Sequence, residues 1–396
     1  MKRLLGKNKR GSAMPLALVA VMLLLAMGVG LLHLGLSNRV YSARTAAAIA
    51  ARCAADAGLT KALFEMNEKL KVKPWNDSSL PEAVNETLPG CDATYSFTIT
   101  GDAVSGYTVE STGTSGQTQR TVICTLKPQG PFEFAVFADD AVDLKNSAVV
   151  DWYNFGADDD PLKLGTNSVE SGAITLKNSS TINGDVVVGV GGNPSVVIDN
   201  YGATITGEAR ALTQRNPLPT VIVPQWLESL PSGGFIENDT TITNSAKYSG
   251  IDLKNNKTIV IDGNVTLYTT GDVILNNSAE LQIERDASLV LYLGGNFEGK
   301  NSSAVNNLTQ DARKLQIYCL DSCDGMQFKN STDFYGAIYA PGADIVMDNS
   351  ADLHGSVVAK HFEQRNSGTF SYDASLRDVG VNDEAVRFVV TGWHEQ

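Results

Sequence analysis

The chain has 396 residues, a formal net charge of −13 at pH 7 and an isoelectric point of about 4.8. This acidic balance argues against nucleic acid or anionic lipid headgroups as general partners, because both carry negative charge. The length exceeds that of one ordinary domain, and five cysteines indicate an oxidising location without a disulfide-dense scaffold.

A basic stub at the N-terminus precedes a long apolar run. Met1 to Arg10 contains five lysine or arginine residues, and Ala13 to Leu36 is interrupted only by Pro15 and His33. At about 1.5 Å per residue, this run is long enough to cross the roughly 30 Å hydrocarbon core as one helix. It is longer than the h-region of a secretory signal, and no A-x-A-type site follows it. Because basic residues favour the cytoplasmic side, we expect the rest of the chain to lie outside.

The helical pattern continues beyond the apolar run as far as Lys73. Alanine, the strongest helix former, dominates this segment, and Pro74 ends it because the residue before a proline avoids the α region. Apolar residues at spacings of three and four predict one buried face. They are Val40, Ala43, Ala47, Ala50, Ala54, Ala57, Leu63, Met66 and Leu70. Ser12 to Lys73 is therefore predicted to be one helix of roughly 90 Å.

The N-terminal segment resembles class III prepilins. These have a short basic leader that ends in glycine, a cut before a small residue, and a membrane helix that continues as a long amphipathic helix. Lys9-Arg10-Gly11-Ser12 matches the prepilin-peptidase site, and GSAMPLALVAVMLLLAMGVG resembles PilX-type minor pilins of type IV pilus systems. The resemblance is strongest over residues 1–70, and it implies processing between Gly11 and Ser12.

One position departs from the pattern of major pilins. The fifth residue after the proposed cut is Leu16, where major pilins carry a glutamate that PilX-type minor pilins and the tip pseudopilins of type II secretion tend to lack. An unpaired glutamate is costly in lipid and needs a partner amine. A subunit without it is better suited to a terminal or low-copy position than to bulk polymerisation. A plain signal anchor that carries a periplasmic domain is the alternative.

Residues 74–130 are predicted to form a linker and a small antiparallel sheet. Pro74, Pro81 and Pro89 lie among polar residues of the linker. Three alternating runs follow, ATYSFTIT, GYTVEST and QRTVICTLK, and turns containing glycine separate them. We expect this sheet to pack on the C-terminal half of the long helix, as the resemblance to pilins implies.

Two pairs of cysteines are candidates for disulfides. Cys91 and Cys124 bracket one β segment, and Cys319 and Cys323 lie close together in CLDSC, which leaves Cys53 on the helix. The sequence alone does not set the connectivity. A redox or metal role for Cys319 and Cys323 is the alternative to a loop staple.

Residues 131–384 are predicted to form a β-solenoid. Short strands rich in valine, isoleucine and threonine alternate with turns of glycine, asparagine and aspartate. An Asn-Ser dipeptide recurs among them, at Asn146, Asn178, Asn244, Asn277, Asn301, Asn330, Asn349 and Asn366. Repeated short strands with polar corners indicate stacked coils, with asparagines that bridge them and with Asn330, Asn349 and Asn366 at equivalent corners. A β-sandwich with the same kinds of turn is the alternative.

The C-terminal part of this module resembles a tail domain of uncharacterised function found behind PilX-type N-termini. FYGAIYAPGADIVMDNSADLHGSVVAKHFEQRNSGTFSYDASL carries the resemblance, which covers roughly residues 286–380. It implies a right-handed parallel β-helix-like fold with nothing catalytic. AVRFVVTGWHEQ, residues 385–396, is predicted to be a last strand that closes either this module or the small sheet.

Candidate residues for catalysis or metal binding are sparse. No G-x-S-x-G, Walker A, HExxH or zinc-spaced Cys/His pattern appears in the sequence. His354 and His361 are seven residues apart, and Asp158-Asp159-Asp160 suits a solvated turn better than calcium. Further aspartates could line the groove of a polysaccharide-active β-helix enzyme, although aspartate is a routine corner residue. They are Asp185, Asp199, Asp262, Asp272, Asp344 and Asp348. We expect no catalytic residue, no metal and no cofactor.

The sequence predicts an α+β protein with five segments. These are a leader (1–11), a transmembrane and amphipathic helix (12–73), a linker with a small sheet (74–130), a β-solenoid (131–384) and a terminal strand (385–396). The predicted function is that of a non-enzymatic minor pilin-like or pseudopilin-like subunit in a type IV pilus or a related filament, at a tip or priming position.

The resemblance also implies the partners and the location. The partners are other pilins, the inner-membrane assembly platform, prepilin peptidase and membrane lipid, and no nucleic acid. The chain would cross the inner membrane once, with its N-terminus in the cytoplasm and its C-terminal domain in the periplasm or on an extracellular filament. One alternative is an adhesin whose solenoid binds surface glycans, which an exposed aromatic row would favour. The other is a membrane-anchored polysaccharide-active enzyme.

Overall fold

The structure, a computed structural model, describes residues 13–145, 147–154, 161–177, 179–329, 333–348, 352–365, 368–383 and 385–395. These residues form two compact units. The helix unit contains the described residues up to Lys127 together with those from Phe388 onwards. The β unit runs from Pro128 to Arg387.

The helix unit consists of one long helix and a five-stranded sheet. Helix α1 spans Ala13–Leu70, and a 3₁₀ helix follows at Asp77–Ser79. The strands are β1 (Ala83–Thr87), β2 (Thr94–Asp102), β3 (Gly106–Ser115), β4 (Thr118–Gln129) and the last strand of the chain, β30 (Arg387–Glu395). They lie in the order β1-β2-β3-β4-β30, with antiparallel pairing from β1 to β4. The three predicted strands are present as β2, β3 and β4, and the terminal strand joins this sheet.

The β unit contains twenty-five of the described strands and two short helices. Its first strands are β5 (Val136–Leu144), β6 (Val149–Tyr153), β7 (Lys163–Thr166), β8 (Ile174–Lys177), β9 (Thr181–Ile182), β10 (Asp185–Val188), β11 (Ile198–Tyr201), β12 (Thr204–Ile205) and β13 (Ala209–Ala211). The next are β14 (Phe235–Ile236), β15 (Thr240–Ile242), β16 (Ala246–Tyr248), β17 (Gly250–Leu253), β18 (Thr258–Ile261), β19 (Asn264–Thr269), β20 (Val273–Leu275) and β21 (Glu280–Ile283). The last are β22 (Ser288–Leu293), β23 (Phe297–Gly299), β24 (Ala304–Asn307), β25 (Leu315–Cys319), β26 (Gly325–Phe328), β27 (Phe334–Met347), β28 (Leu353–Gln364) and β29 (Thr369–Asp373). Helices α2 (Pro194–Val197) and α3 (Gln225–Glu228) and 3₁₀ turns at Ala312–Lys314 and Ala374–Arg377 complete the unit.

The strands of the β unit pair in parallel, and each strand from β14 to β23 pairs with the strand three places further along the chain. Thus β14 pairs with β17, β15 with β18, and β16 with β19. The chain therefore visits three ladders in turn. The ladder that contains β16 is here called ladder A, and the ladder that contains β17 is called ladder B.

The core of the β unit follows from the register of these ladders. In ladder B one row of paired residues points inward through the whole unit: Ile251, Val273, Phe297, Met326, Ile345, Phe362, Val142, Ile174 and Ile198. All but the last are buried. Because side chains alternate along a strand, the neighbouring residues on either side face outward.

The order of the strands in space differs from their order in the chain. Strand β28, close to the end of the β unit, pairs in parallel with β5, at its beginning, with Val357 opposite Val136. Beyond β5 the stack continues through β7 and β10 to β13. The chain thus enters the β unit in the middle of the stack, builds outward to one end, and then builds inward from the other end.

A segment without a strand of its own connects the two ends of the stack, and an isolated bridge joins its Ser232 to Lys247. Residues 212–234, here called the strap, join β13 to β14 and include α3. The strap packs on the outer side of ladder A through Leu218, Val223 and Leu227. The strap therefore carries the chain from β13 at one end of the stack to β14 at the other end. This connection allows the two-way order of the stack, in which strands are added outward from the middle and then inward from the far end.

Two of the Asn-Ser dipeptides lie at the corner that follows a ladder B strand: Asn277 follows β20 and Asn301 follows β23. Asn277 and Ser278, and likewise Asn301 and Ser302, have positive φ angles between 52° and 61°. The Asn301 side chain donates to Asn276 Oδ1 at 2.7 Å, which bridges two layers of the stack. Asn244 follows β15 and lies at a different corner. Asn146, Asn178, Asn330, Asn349 and Asn366 lie outside the described residues.

Candidate assembly surface

The N-terminal half of α1 presents an exposed surface that is apolar except at His33. Every side chain from Met14 to Leu36 is exposed, including Leu25, Leu31 and Leu34. This part of the helix is long and apolar enough to cross a membrane. So large an exposed apolar area is stable only when lipid or other apolar surfaces cover it. Leu16 lies within it, while the predicted processing residues Gly11 and Ser12 lie outside the described residues.

The C-terminal half of α1 packs on the antiparallel sheet. Its buried residues are Ala51, Ala54, Ala55, Gly58, Ala62, Met66 and Leu70. The predicted stripe is therefore correct at Ala54, Met66 and Leu70, but Ala51 and Ala62 are buried where Ala50 and Leu63 were expected. Val40 is exposed because the sheet does not extend down to that turn.

The backbone of helix α1 lies directly against the backbone of strand β3, with no side chain between them at Gly113. A side chain at Gly113 would overlap the Ala51 carbonyl oxygen and lie 2.5 Å from the Ala55 amide nitrogen. The Ser111 hydroxyl donates to the Ala55 carbonyl oxygen at 2.7 Å. Small residues on both elements thus fix how closely the helix lies on the sheet.

The last strand of the chain is attached to the same helix. The Phe388 amide donates to Asn67 Oδ1 at 2.8 Å, and the Phe388 ring lies 5.1 Å from that of Tyr107. The Tyr107 hydroxyl donates to Asp77 at 2.6 Å, and this bond lowers the pKa of the Asp77 carboxyl. The 3₁₀ helix, β3 and β30 therefore secure the far end of α1.

Cys91 and Cys124, which are predicted to pair, lie far apart in this fold. All five cysteines are free, and Cys91 lies in the exposed turn between β1 and β2. Cys124 is paired with Val109, which is opposite Ile99. Ile99 is five residues along β2 from its first residue, so about 16 Å of strand separates the two cysteines along the sheet.

Cys319 and Cys323 do lie together in the core of the β unit. Both are buried, and Cys319 Sγ is 3.4 Å from Met326 Sδ. Burial raises the pKa of the Cys319 thiol, whereas the hydrogen bond from Cys319 lowers the pKa of Cys323. Their pairing remains a prediction, and Cys53 is exposed on α1.

The candidate aspartates and histidines do not converge on one site. Asp272 and Asp344 line one cavity of about 390 Å³ with Glu298, while Asp185 lies on β10 and Asp262 follows β18. Asp199 lies on β11 of ladder B. Asp348 directly follows β27, and it accepts a hydrogen bond from Arg365 at 3.1 Å.

His354 and His361 have different surroundings. The His354 ring stacks on Tyr335 at 4.3 Å, whereas His361 contacts Asp143 at 3.2 Å. Within the described residues, no group of three or more His, Cys, Asp or Glu side chains could hold a metal ion. The cluster Asp158-Asp159-Asp160 lies outside the described residues.

An aromatic row that the motif search missed runs along the outer side of ladder A. Tyr268, Tyr292, Tyr318 and Tyr339 are paired in register on successive strands. The strap covers this row, and the Tyr339 hydroxyl donates to the Pro219 carbonyl oxygen at 2.8 Å. Tyr292, Tyr318 and Tyr339 are at most 2% exposed. These tyrosines recur every 21 to 26 residues in the sequence, and this spacing is the signal that could have revealed the row.

Comparison with known proteins gives a family match and a distant structural match. The family described as "Domain of unknown function (DUF7305)" matches residues 229–379, which is less than half of the chain. No curated protein matches the sequence. Among solved structures, the competence-associated pilin ComZ from Thermus thermophilus matches with 12% identity over 88% of this chain and 97% of that chain, at a TM-score of 0.27. A TM-score this low supports no inference about fold or function.

Proposed function

We propose that the chain is a non-enzymatic, membrane-anchored subunit of the minor pilin type, which takes part in type IV pilus or pseudopilus assembly at a tip or priming position. The observation that supports this most is helix α1. It is continuous from Ala13 to Leu70, and one half is exposed and apolar while the other is buried on an antiparallel sheet. A simple membrane anchor needs only the exposed, apolar half of α1.

The mechanism follows from what covers the apolar half. Prepilin peptidase would remove the leader after Gly11 at the cytoplasmic face, and the assembly platform would then transfer α1 from lipid to a bundle of pilin helices. Both environments are apolar, so the same surface suits both. A side chain added at Gly28, Gly30 or Gly35 would meet nothing within 4 Å, so these glycines leave room for close helix contacts.

Two features favour a terminal position over the shaft of a filament. The first is Leu16, which cannot offer a carboxylate to a neighbouring amine. The second is the β unit, which the chain inserts between the paired strands β4 and β30. A large insertion at this point is difficult to repeat at every position of a regular shaft, whereas one copy at an end meets no such limit.

We also propose that the β unit is a solenoid of stacked coils. Ten strands follow one another in ladder A, so the stack would measure about 43 Å at roughly 4.8 Å per layer. Val260 and Gln282 are register partners on β18 and β21. Cysteines at these two positions should form a disulfide on oxidation. Cysteines at Val260 and Asn306 should not, because these residues lie two layers apart, at about 9.6 Å.

The adhesin alternative depended on an exposed aromatic row. The tyrosine row of ladder A is buried beneath the strap, which favours a structural role for this face. Glycan binding elsewhere on the β unit is left as a separate hypothesis.

A photo-crosslinking experiment in the native cell tests the proposed assembly role. A crosslinking amino acid in place of Leu31, which is 70% exposed on α1, should capture small helical membrane proteins of the pilin type. The matched control places the same amino acid at Val104, which is 98% exposed in the turn after β2. Capture of lipid alone at position 31 under conditions of filament assembly would favour the plain anchor.

A further inference from the structure

A basic cavity lies at the base of the helix unit, between α1 and the turn that joins β3 to β4. It has a volume of about 770 Å³, and its polar lining includes Arg44, Arg52, Gln117, Thr118 and Arg120. Glu395 is the one acidic residue in the lining. Three arginines thus converge in a chain whose net charge is −13.

The three arginines differ in how they are held. Arg52 is engaged: its Nε donates to Asp56 at 3.1 Å, it pairs with Glu395, and its guanidinium lies 4.9 Å from the centre of the Trp393 ring. The side chains of Arg44 and Arg120, in contrast, form no hydrogen bond or ion pair with another residue in the described part of the chain. Both are exposed to solvent, so the cavity holds two positive charges that no described side chain neutralises.

The position of the cavity on α1 brings it close to a membrane surface. Arg44 is eight residues beyond Leu36, the last residue of the apolar run, which corresponds to about 12 Å along the helix. The Cα–Cβ bonds of a helix tilt toward its N-terminus, which at Arg44 is the direction of the apolar run. The headgroup layer is roughly 5–7 Å thick on each side of the hydrocarbon core, and a long arginine side chain reaches it from this height.

Phosphate is the anion that these groups suit best. A guanidinium offers parallel N–H donors that match two oxygens of a phosphate. The Thr118 hydroxyl and the Gln117 amide add uncharged donors to the same cavity. The acidic composition argues against anionic headgroups as general partners, and this cavity is a local exception.

We propose that this cavity binds a phosphate group, either on the headgroup of an anionic lipid or as free phosphate. The lipid source rests on the proposed membrane span of α1, whereas binding of free phosphate does not. Neither lipid binding nor phosphate binding requires filament assembly. A failure of this proposal would therefore leave the proposed assembly role untouched, and the reverse also holds.

Binding is measured on the full chain in an uncharged detergent. Inorganic phosphate is titrated by calorimetry, and retention of phosphatidylglycerol against phosphatidylcholine is measured by native mass spectrometry. The test variant is Arg44→Gln with Arg120→Gln. The control is Arg285→Gln, an exposed arginine of the β unit. Thermal melts of all three proteins check that each is folded.

The expected result is that the double variant weakens binding by at least about tenfold, while the control stays within about twofold of the parent. Preferential retention of phosphatidylglycerol identifies a lipid as the source, and binding of inorganic phosphate without that preference identifies free phosphate. Absence of binding in both measurements overturns the proposal. So does a double variant that binds as well as the control.

Discussion

Arg387 donates from one terminal nitrogen to Asn216 Oδ1 at 3.0 Å and also to Gln129 Oε1 at 3.0 Å. Gln129 is where the chain enters the β unit, Asn216 lies on the strap, and Arg387 is where the chain leaves. Asn216 is also bonded to Asn167, which donates to the Asn216 carbonyl oxygen at 2.8 Å. One arginine therefore joins the three connections that the two-way stacking order requires.

Replacement of Arg387 by methionine should destabilise the β unit. Burial already lowers the pKa of the guanidinium, and its loss would leave two amide oxygens without their donor. We expect a decrease of about 1.5–3 kcal/mol in the free energy of unfolding, measured by urea titration. Arg285→Met is the control and should change stability by less than about 0.5 kcal/mol. Equal stability of the two variants would show that the hydrogen bonds of Arg387 do not stabilise the β unit.

Replacement of Gly113 by valine should separate α1 from the sheet. The added atoms would overlap the Ala51 carbonyl oxygen, and neither backbone can move without loss of the neighbouring contacts. We expect a loss of about 3 kcal/mol or more in stability of the helix unit, seen as early proteolysis within residues 44–70. Gly342→Ala is the control, because an added side chain there meets nothing within 4 Å. Unchanged protease resistance of the valine variant would contradict the close approach.

The stability of the β unit should depend on pH through His361 and Asp143, which join β28 to β5. The hydrogen bond between them raises the pKa of His361 and lowers that of Asp143. Lys145, Asp344 and Glu363 are the other charged groups that act on this pair.

The direction of the pH effect follows from these shifts. The contribution of His361 is complete below its ordinary pKa of 6.5 and is lost as the pH rises through its raised value. That of Asp143 is lost only in acid, as the pH falls through its lowered value. The side chains are 34% and 26% exposed, so we expect at most about 1 kcal/mol. Melting curves from about pH 5 to 8 should show the decrease in the parent and not in His361→Gln. A parallel decrease in both proteins would assign it to other groups.

Cys319 and Cys323 should form a disulfide in an oxidising compartment. The two thiols are already in contact, and the closed loop is short, so we expect a stabilisation of about 2 kcal/mol if the bond is unstrained. Peptide mapping without reduction should link Cys319 to Cys323 and find Cys53, Cys91 and Cys124 as thiols. If all five cysteines react with an alkylating reagent after denaturation alone, both the pairing and the predicted compartment are wrong.

The parts of the fold that the sequence predicts are those with a local signal. Helix α1 and strands β2 to β4 follow from periodicity and from Pro74, because the residues that define each element are neighbours in the chain. The exact buried face of α1 could not be predicted, since it depends on where small residues such as Gly58 and Gly113 allow the helix and the sheet to approach.

Non-local relations left weaker signals or none. The pairing of Val357 with Val136 joins residues that are far apart in sequence, and no local pattern marks it. The recurrence of Asn-Ser grouped Asn244 with Asn277 and Asn301. Only Asn277 and Asn301 lie at equivalent corners, because each follows a ladder B strand. The separation of Cys91 and Cys124 could not be predicted, because two cysteines around a β segment say nothing about the register of its strands. The basic cavity combines α1, β4 and the end of the chain, which spacing alone cannot bring together.

The mass of the mature protein tests most directly whether the chain is processed and assembled as a pilin-type subunit. The protein should be purified from its native membrane and analysed by intact mass and N-terminal sequencing. We expect a chain that begins at Ser12, together with an uncleaved precursor when Gly11 is replaced by a bulky residue. A native protein that still begins at Met1 would contradict the proposed processing and leave α1 as a simple membrane anchor.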